Sequence, residues 1–303
     1  MGESQAQTSA QDQESDEVGA VGEAARQRLL TDLPVTERRL QLAGISTAVL
    51  EGGQGTPVIL LHGPSGYAAH WMRVIPSLVA THRVIAPDLP GHGASDVSDG
   101  PLDADRVFTW LGELIDRTCD TPPVIIGQLL GGAIALRFAI GHRHKLSRLV
   151  LVDTFGLSPF QPKPEFGAAL QQFLAQPTEQ THQSLWRRCA FDLEALTRRM
   201  GPLWEPFETY NLDRARRPEG QSALTGLMEI FGFPPIPSDD LERLATPITL
   251  IWGRHDGATP LAVAEAASVR FAWPLHVVEN CNDDPPVEQP EALLRVLRTV
   301  IGS

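Results

Sequence analysis

The chain has 303 residues, 42% of them hydrophobic, and a formal charge of −12 from 37 acidic residues against 25 lysines and arginines. That length and apolar content suffice for one substantial core, alone or with a small appended subdomain. The acidic balance excludes nucleic acid and anionic membrane as expected partners, because both need a basic face.

Residues 1–25 are rich in Gln, Ser, Gly, Glu and Asp with almost no large apolar side chain, which predicts a disordered acidic tail. Two short antiparallel strands are expected at 39–43 and 46–50 around Gly44. The continuous apolar run at 56–61 reads as a strand buried on both faces of a parallel sheet. Helical spacing follows at 70–80, a strand at 83–86, a loop from Pro87 to Ser95 and a helix at 103–116. A strand at 124–126 leads into a helix at 132–141, and 149–153 is the next strand. This alternation predicts crossover connections and a mostly parallel α/β sheet covered on both sides. Residues 155–237 break it, with amphipathic stretches around 166–175, 184–196 and 224–231, and read as a helical insertion over the sheet. Alternation resumes with a strand at 248–252, a helix at 260–271, a strand at 275–279 and a helix at 290–301. No internal repeat is evident.

No apolar run approaches the roughly 20 residues that span a bilayer. The polar N-terminus has neither the basic stretch nor the apolar segment of a secretory leader. The three cysteines, Cys119, Cys189 and Cys281, show neither disulfide nor metal-ligand spacing, which suits a cytoplasmic setting. No metal or other cofactor is implied.

Gly127-Gln128-Leu129-Leu130-Gly131-Gly132 follows a strand and opens a helix, the setting of a G-x-S-x-G nucleophile elbow. The serine position holds Leu129. With it come Leu60-Leu-His-Gly-Pro-Ser-Gly66, the D-x-x-G-x-G-x-S loop from Asp88 to Ser95, Ile251-Trp-Gly-Arg-His-Asp256, and the stretch Asn282 to Pro290. In this order, residues 38–301 resemble the α/β-hydrolase superfamily of the AB hydrolase-1 type. The resemblance implies an α/β-hydrolase fold, with core segments at 36–154 and 238–303 and a helical cap at 155–237.

The resemblance also assigns positions. Leu129 stands where the nucleophile is expected, Asp256 where the triad acid is expected, and Asp283 where the triad histidine is expected. A hydrocarbon cannot attack a carbonyl. A carboxylate near its ordinary pKa of about 3.9 is a poor base for a hydroxyl. In the loop after Gly63, Pro64 has no N–H for an oxyanion, leaving Leu130 and a shifted Ser65 as donors. Losing one such donor costs roughly 2.7–4 kcal/mol of transition-state stabilisation. Covalent serine hydrolysis is therefore expected to be absent.

The remaining polar side chains leave alternatives open. His62, His92 and Ser95 read as loop-fixing groups, and His255 as exposed. His70, near the pocket mouth, is a spare imidazole. Asp256 and Asp283, if close, could share a proton, with Asp153 as a further carboxylate at a strand end. Phe166, Phe173, Trp186, Phe191, Trp204, Phe207 and Phe231 could wall a pocket above Leu129, or simply pack. Three readings stand: a non-catalytic protein that binds a small apolar molecule or a protein partner of unknown kind; an enzyme using non-covalent acid/base chemistry through Asp256, Asp283 and His70; and a hydrolase with a relocated nucleophile.

Overall fold

The computed structural model describes residues 19–98 and 100–302. Residues 1–18 of the expected tail lie outside these. Residues 19–30 form helix α1, so residues 19–25 of the expected tail are helical. The cause is a few anchoring side chains that average composition conceals. Ala25 and Leu29 are buried in a cluster with Tyr67, Met72 and Tyr210. Arg26, only 4% exposed, pairs with Glu37 at 2.7 Å and lies 3.9 Å from Asp88.

The expected hairpin is β1 (Thr36–Leu42) with β2 (Ile45–Gly52). Then follow β3 (Pro57–Leu61), α2 (Ile75–Leu78) and β4 (Arg83–Pro87). The helix expected at 70–80 is shorter than its periodicity suggests: a 3-10 turn at Ala68–Trp71 precedes α2. Pro76 stands in the first turn of α2, where its missing N–H costs nothing, but it bars a helix running in from upstream. Helix α3 (Ala104–Thr118) is capped by Asp103, whose carboxylate accepts from the Arg106 N–H at 2.8 Å, a bond worth about 1 kcal/mol. β5 (Val124–Gln128) passes directly into α4 (Leu129–His142), and β6 (Arg148–Val152) follows.

Between β6 and β7 the secondary structure is all helical: α5 (Pro164–Ala175), α6 (Glu179–Cys189), α7 (Leu193–Met200), α8 (Trp204–Arg216), α9 (Pro218–Leu227) and α10 (Ser238–Glu242). The stretch read as one helix at 184–196 is two, because Asp192 leaves the helical backbone to cap α7, accepting from the Ala195 N–H at 2.9 Å. β7 (Ile248–Gly253), α11 (Leu261–Phe271), β8 (Leu275–Val278), α12 (Pro285–Glu288) and α13 (Pro290–Ile301) complete the chain.

The eight strands form one sheet in the order β1-β2-β4-β3-β5-β6-β7-β8, antiparallel up to the β2–β4 pair and parallel beyond. Alternate residues serve opposite faces, as the period of two requires. Ile59, Leu61 and Ile125 join the core beneath α3 and α4, whereas Val58, Leu60 and Ile126 join that beneath α13. Burial on both faces explains why β3 reads as an unbroken apolar run, and why β5 and β7 are apolar but for Gln128 and Thr249. Among the described residues, no helix is long and apolar enough to cross a membrane.

Candidate functional site

At the β5–α4 turn Leu129 adopts φ +44°, a left-handed backbone that L side chains rarely take. Glycines permit the turn to close: a Cβ on Gly131 would lie 2.5 Å from the Leu61 carbonyl oxygen at the end of β3. The strained elbow persists although its side chain is a hydrocarbon. That side chain lies against the loop after β3, since a Cβ on Gly63 would approach Leu129 Cδ1 to 3.3 Å. The Leu130 amide lies in the first turn of α4, where N–H groups have no intrahelical partner. Pro64 and Ser65, the latter at φ +56°, complete the facing loop.

The other motif residues hold the loops. His62 is fully buried; its Nδ1 contacts the Gly63 carbonyl at 2.8 Å, and its Nε2 accepts from the Leu89 N–H at 2.9 Å. Burial, with His92 nearby, drives its pKa well below the ordinary value, which keeps the ring neutral as this bonding requires. His92 sits 3.1 Å from the Pro90 carbonyl, with a pKa lowered to about 4 by burial. The Ser95 hydroxyl donates to the Asp88 carbonyl and accepts from the Ala48 N–H. His255 is exposed and stacks on Phe191.

The two candidate carboxylates part company. Asp256 is saturated: it accepts from the Ala258 N–H at 2.7 Å, the Thr259 N–H at 2.8 Å and the Thr259 hydroxyl at 2.6 Å. Burial pushes its pKa up to about 6, against the pull of those donors. Beside it, Asp153 accepts from the Gly253 N–H at 2.8 Å, and burial, then Asp256, holds its pKa well above the carboxylate range. Asp256 does not line the cavity, whereas Asp283 does. Burial, then Asp256, Asp284 and Glu288, raises Asp283 well above its usual range.

A different imidazole, His70, borders the cavity. His70 Nε2 lies 2.7 Å from Asp284 Oδ2, and Gln128 Nε2 donates to Asp284 Oδ1 at 3.0 Å and to the Asp283 carbonyl at 3.1 Å. Asp284 and Gln128 escape a reading by motif position, because each occupies a variable slot beside a diagnostic one. The doubled Asp283-Asp284 before two prolines was the available signal.

These groups border a cavity of about 240 Å³ between the sheet end and the inserted helices. Leu129, Pro64, Ser65, His70, Gln128, Asp283 and Asp284 form its floor and one wall. Of the seven aromatic residues expected there, Phe166, Phe173 and Trp186 line it. The other four do not. Phe191 is 48% exposed, Trp204 and Phe207 pack against Trp186, and Phe231 packs against Phe108. Helical periodicity marks the apolar face of a helix but not which neighbour that face meets. Phe155, Phe160 and Phe233 line the cavity instead. Ser65 is the lining serine, and among the described residues it makes no hydrogen bond to a histidine.

A parallel sheet with an antiparallel edge, an elbow at the end of β5 and a helical insertion after β6 define a class, and comparison with known proteins agrees. The sequence profile of the alpha/beta hydrolase family matches residues 58–296, and the chain belongs to that family. It is 26% identical, over 85% of its length and 100% of the relative's, to a pimeloyl-[acyl-carrier protein] methyl ester esterase of Aeromonas hydrophila. It is 29% identical to a 2-hydroxy-6-oxononadienedioate/2-hydroxy-6-oxononatrienedioate hydrolase of Paraburkholderia phymatum, over 86% of this chain and 88% of the other. Among solved structures, a 2-hydroxy-6-oxo-6-phenylhexa-2,4-dienoate hydrolase from Rhodococcus superposes with a TM-score of 0.78 at 23% identity, covering 89% of this chain and 100% of that one.

Proposed function

We propose that the chain binds a small, mostly apolar molecule non-covalently in the cavity beneath its inserted helices, which act as a cap, and does not hydrolyse through an acyl-serine. The observation that carries this is the Leu129 side chain set against Gly63 at the elbow. Carbon fills the space where attack would begin. The relatives named as esterases and hydrolases support the scaffold and the pocket, while function follows the groups in the site. Oxyanion and binding contacts left without nucleophile and base retain only about 10³–10⁴-fold acceleration over water in a serine protease stripped of its triad. The free cysteines Cys119, Cys189 and Cys281 suit a cytoplasmic setting.

The test is turnover of short- and long-chain acyl esters by the natural chain and by Leu129→Ser combined with Asp283→His. We expect the natural chain to stay at the buffer rate. Ester turnover clearly above buffer by the natural chain would refute the reading. Activity gained only in the double variant would show that the rest of the site is intact. A second reading, proton transfer without a covalent intermediate, is favoured by the 2.7 Å contact of His70 with Asp284, not by Asp256. It requires an activity that His70→Ala abolishes and Leu129→Ala preserves.

A further inference from the structure

Helix α1 buries one narrow stripe. Gly22, Ala25, Arg26 and Leu29 are buried at the i, i+3, i+4, i+7 spacing of a single helix face, and the rest of the helix is exposed or half-buried. That stripe spans a seam. At one end, a Cβ on Gly22 would lie 2.2 Å from Asp213 Cγ, so the α1 backbone rests directly on α8. Asp213 has little freedom to give way, being 4% exposed and held by Arg214 at 2.8 Å and Arg217 at 3.2 Å. At the other end, Leu30, Leu33 and Val35 pack on the core beneath α13, and the Leu33 N–H donates to the Leu30 carbonyl at 3.0 Å in the turn towards β1.

Between the ends, Ala25 and Leu29 share a buried cluster with Tyr67 and Met72 of the core and with Phe207 and Tyr210 of α8. Tyr210 meets Tyr67 edge-on there, with ring centroids 4.6 Å apart. Arg26 faces Asp88, whose carboxylate accepts from the Ala68 N–H at 2.6 Å and the Ala94 N–H at 2.7 Å, and so joins the loops after β3 and β4. Helix α1 thus engages the inserted helices and both loops at once.

The hold is local. Leu29 is the large apolar member of the stripe, and a cleft of about 570 Å³ keeps α1 from lying flush on β1 and β2, with Gln27 and Leu30 on one side and Glu37, Arg39 and Leu50 on the other. Segments with few buried apolar contacts open at lower free energy than the core. Glu23 of α1, with Tyr210 and Arg214 of α8, also borders a groove of about 420 Å³ that shares Ser65, Gly66, Leu174 and Leu224 with the cavity. Displacing α1 therefore removes a wall of that groove and a tie on α8 together.

We propose that α1 is a strap: docked, it clamps α8 onto the loop after β3 and keeps the cavity closed; released, it lets the inserted helices lift and admits the bound molecule. This rests on the binding reading above, and adds to it control of entry by a segment N-terminal to the residues 58–296 that the family profile matches.

The test is labelling of Cys189, a cavity-lining thiol, by a dithiodipyridine in the full chain, alongside hydrogen exchange read by mass spectrometry. Two variants loosen opposite ends of the strap: Gly22→Leu drives a side chain into Asp213, and Leu29→Ala removes the apolar anchor. Each should speed Cys189 labelling by at least about tenfold, because the contribution of a buried side chain is lost from a local opening. Each should also speed exchange in α8 while leaving β5 at the natural rate. Unchanged labelling in either variant that folds overturns the proposal. Exchange in β5 that rises as much as in α8 overturns it too, since α1 would then belong to the global core. Neither readout needs a ligand or turnover, so failure here leaves the binding reading to the ester test.

Discussion

The carboxylate of Asp284 joins two elements remote in sequence: Oδ2 meets His70, 214 positions away, and Oδ1 meets Gln128, 156 positions away. Replacing it with alanine leaves the His70 ring nitrogen without an acceptor in a buried wall and takes one of two acceptors from the Gln128 amide, which keeps the Asp283 carbonyl. Asp284→Ala should therefore lose about 1–3 kcal/mol of stability, read as a lower urea midpoint with an unchanged slope. An unchanged midpoint would mean that these contacts are absent in solution. At this scale, the informative positions were visible wherever a motif pinned them. Leu129 and Asp283 stood out because the neighbouring glycines and prolines define the register. Asp284 did not, because its partners are set by the approach of two loop ends, which no local pattern encodes.

Among the elements, strands were the most legible. Each parallel strand is an apolar run flanked by turn residues, and the structure places every one within about two residues of the expected ends. Helices in the insertion were legible as faces but not as partners. The periodicity of Phe166 and Phe173 was real, yet Phe231 carries a similar signal and packs away from the cavity against Phe108. Helix α1 was missed for the opposite reason. It is held by Arg26, Ala25 and Leu29 against groups far along the chain, within a segment whose composition is otherwise that of a solvated tail.

Over the whole molecule, the buried acids around the cavity give stability a pH dependence with a definite sign. Glu288 accepts from the Phe191 and Asn282 N–H groups, yet burial raises its pKa from 4.5 to about 7. A carboxyl whose folded pKa is raised binds its proton more tightly when folded. Its contribution is complete below the unfolded value and is lost as pH rises through the folded one. Stability should thus fall between about pH 4.5 and 7, with Asp256, raised to about 6, acting in the same direction. Glu288→Gln should lower stability throughout, because its amide faces backbone donors, and should flatten the slope by on the order of 3 kcal/mol. Urea midpoints compared at acid and neutral pH check both. A natural chain that gains stability across this window would contradict the assignment.

The chain belongs to a family whose named relatives hydrolyse, and the departure proposed for it is a leucine, Leu129, at the elbow. Intact-mass spectrometry after prolonged incubation with an alkyl fluorophosphonate addresses that departure most directly. The account expects the unmodified mass throughout, with Leu129→Ser plus Asp283→His as the variant able to gain the adduct. A stoichiometric phosphonyl adduct on the natural chain, mapped to Ser65 or any other residue of the cavity, would contradict it.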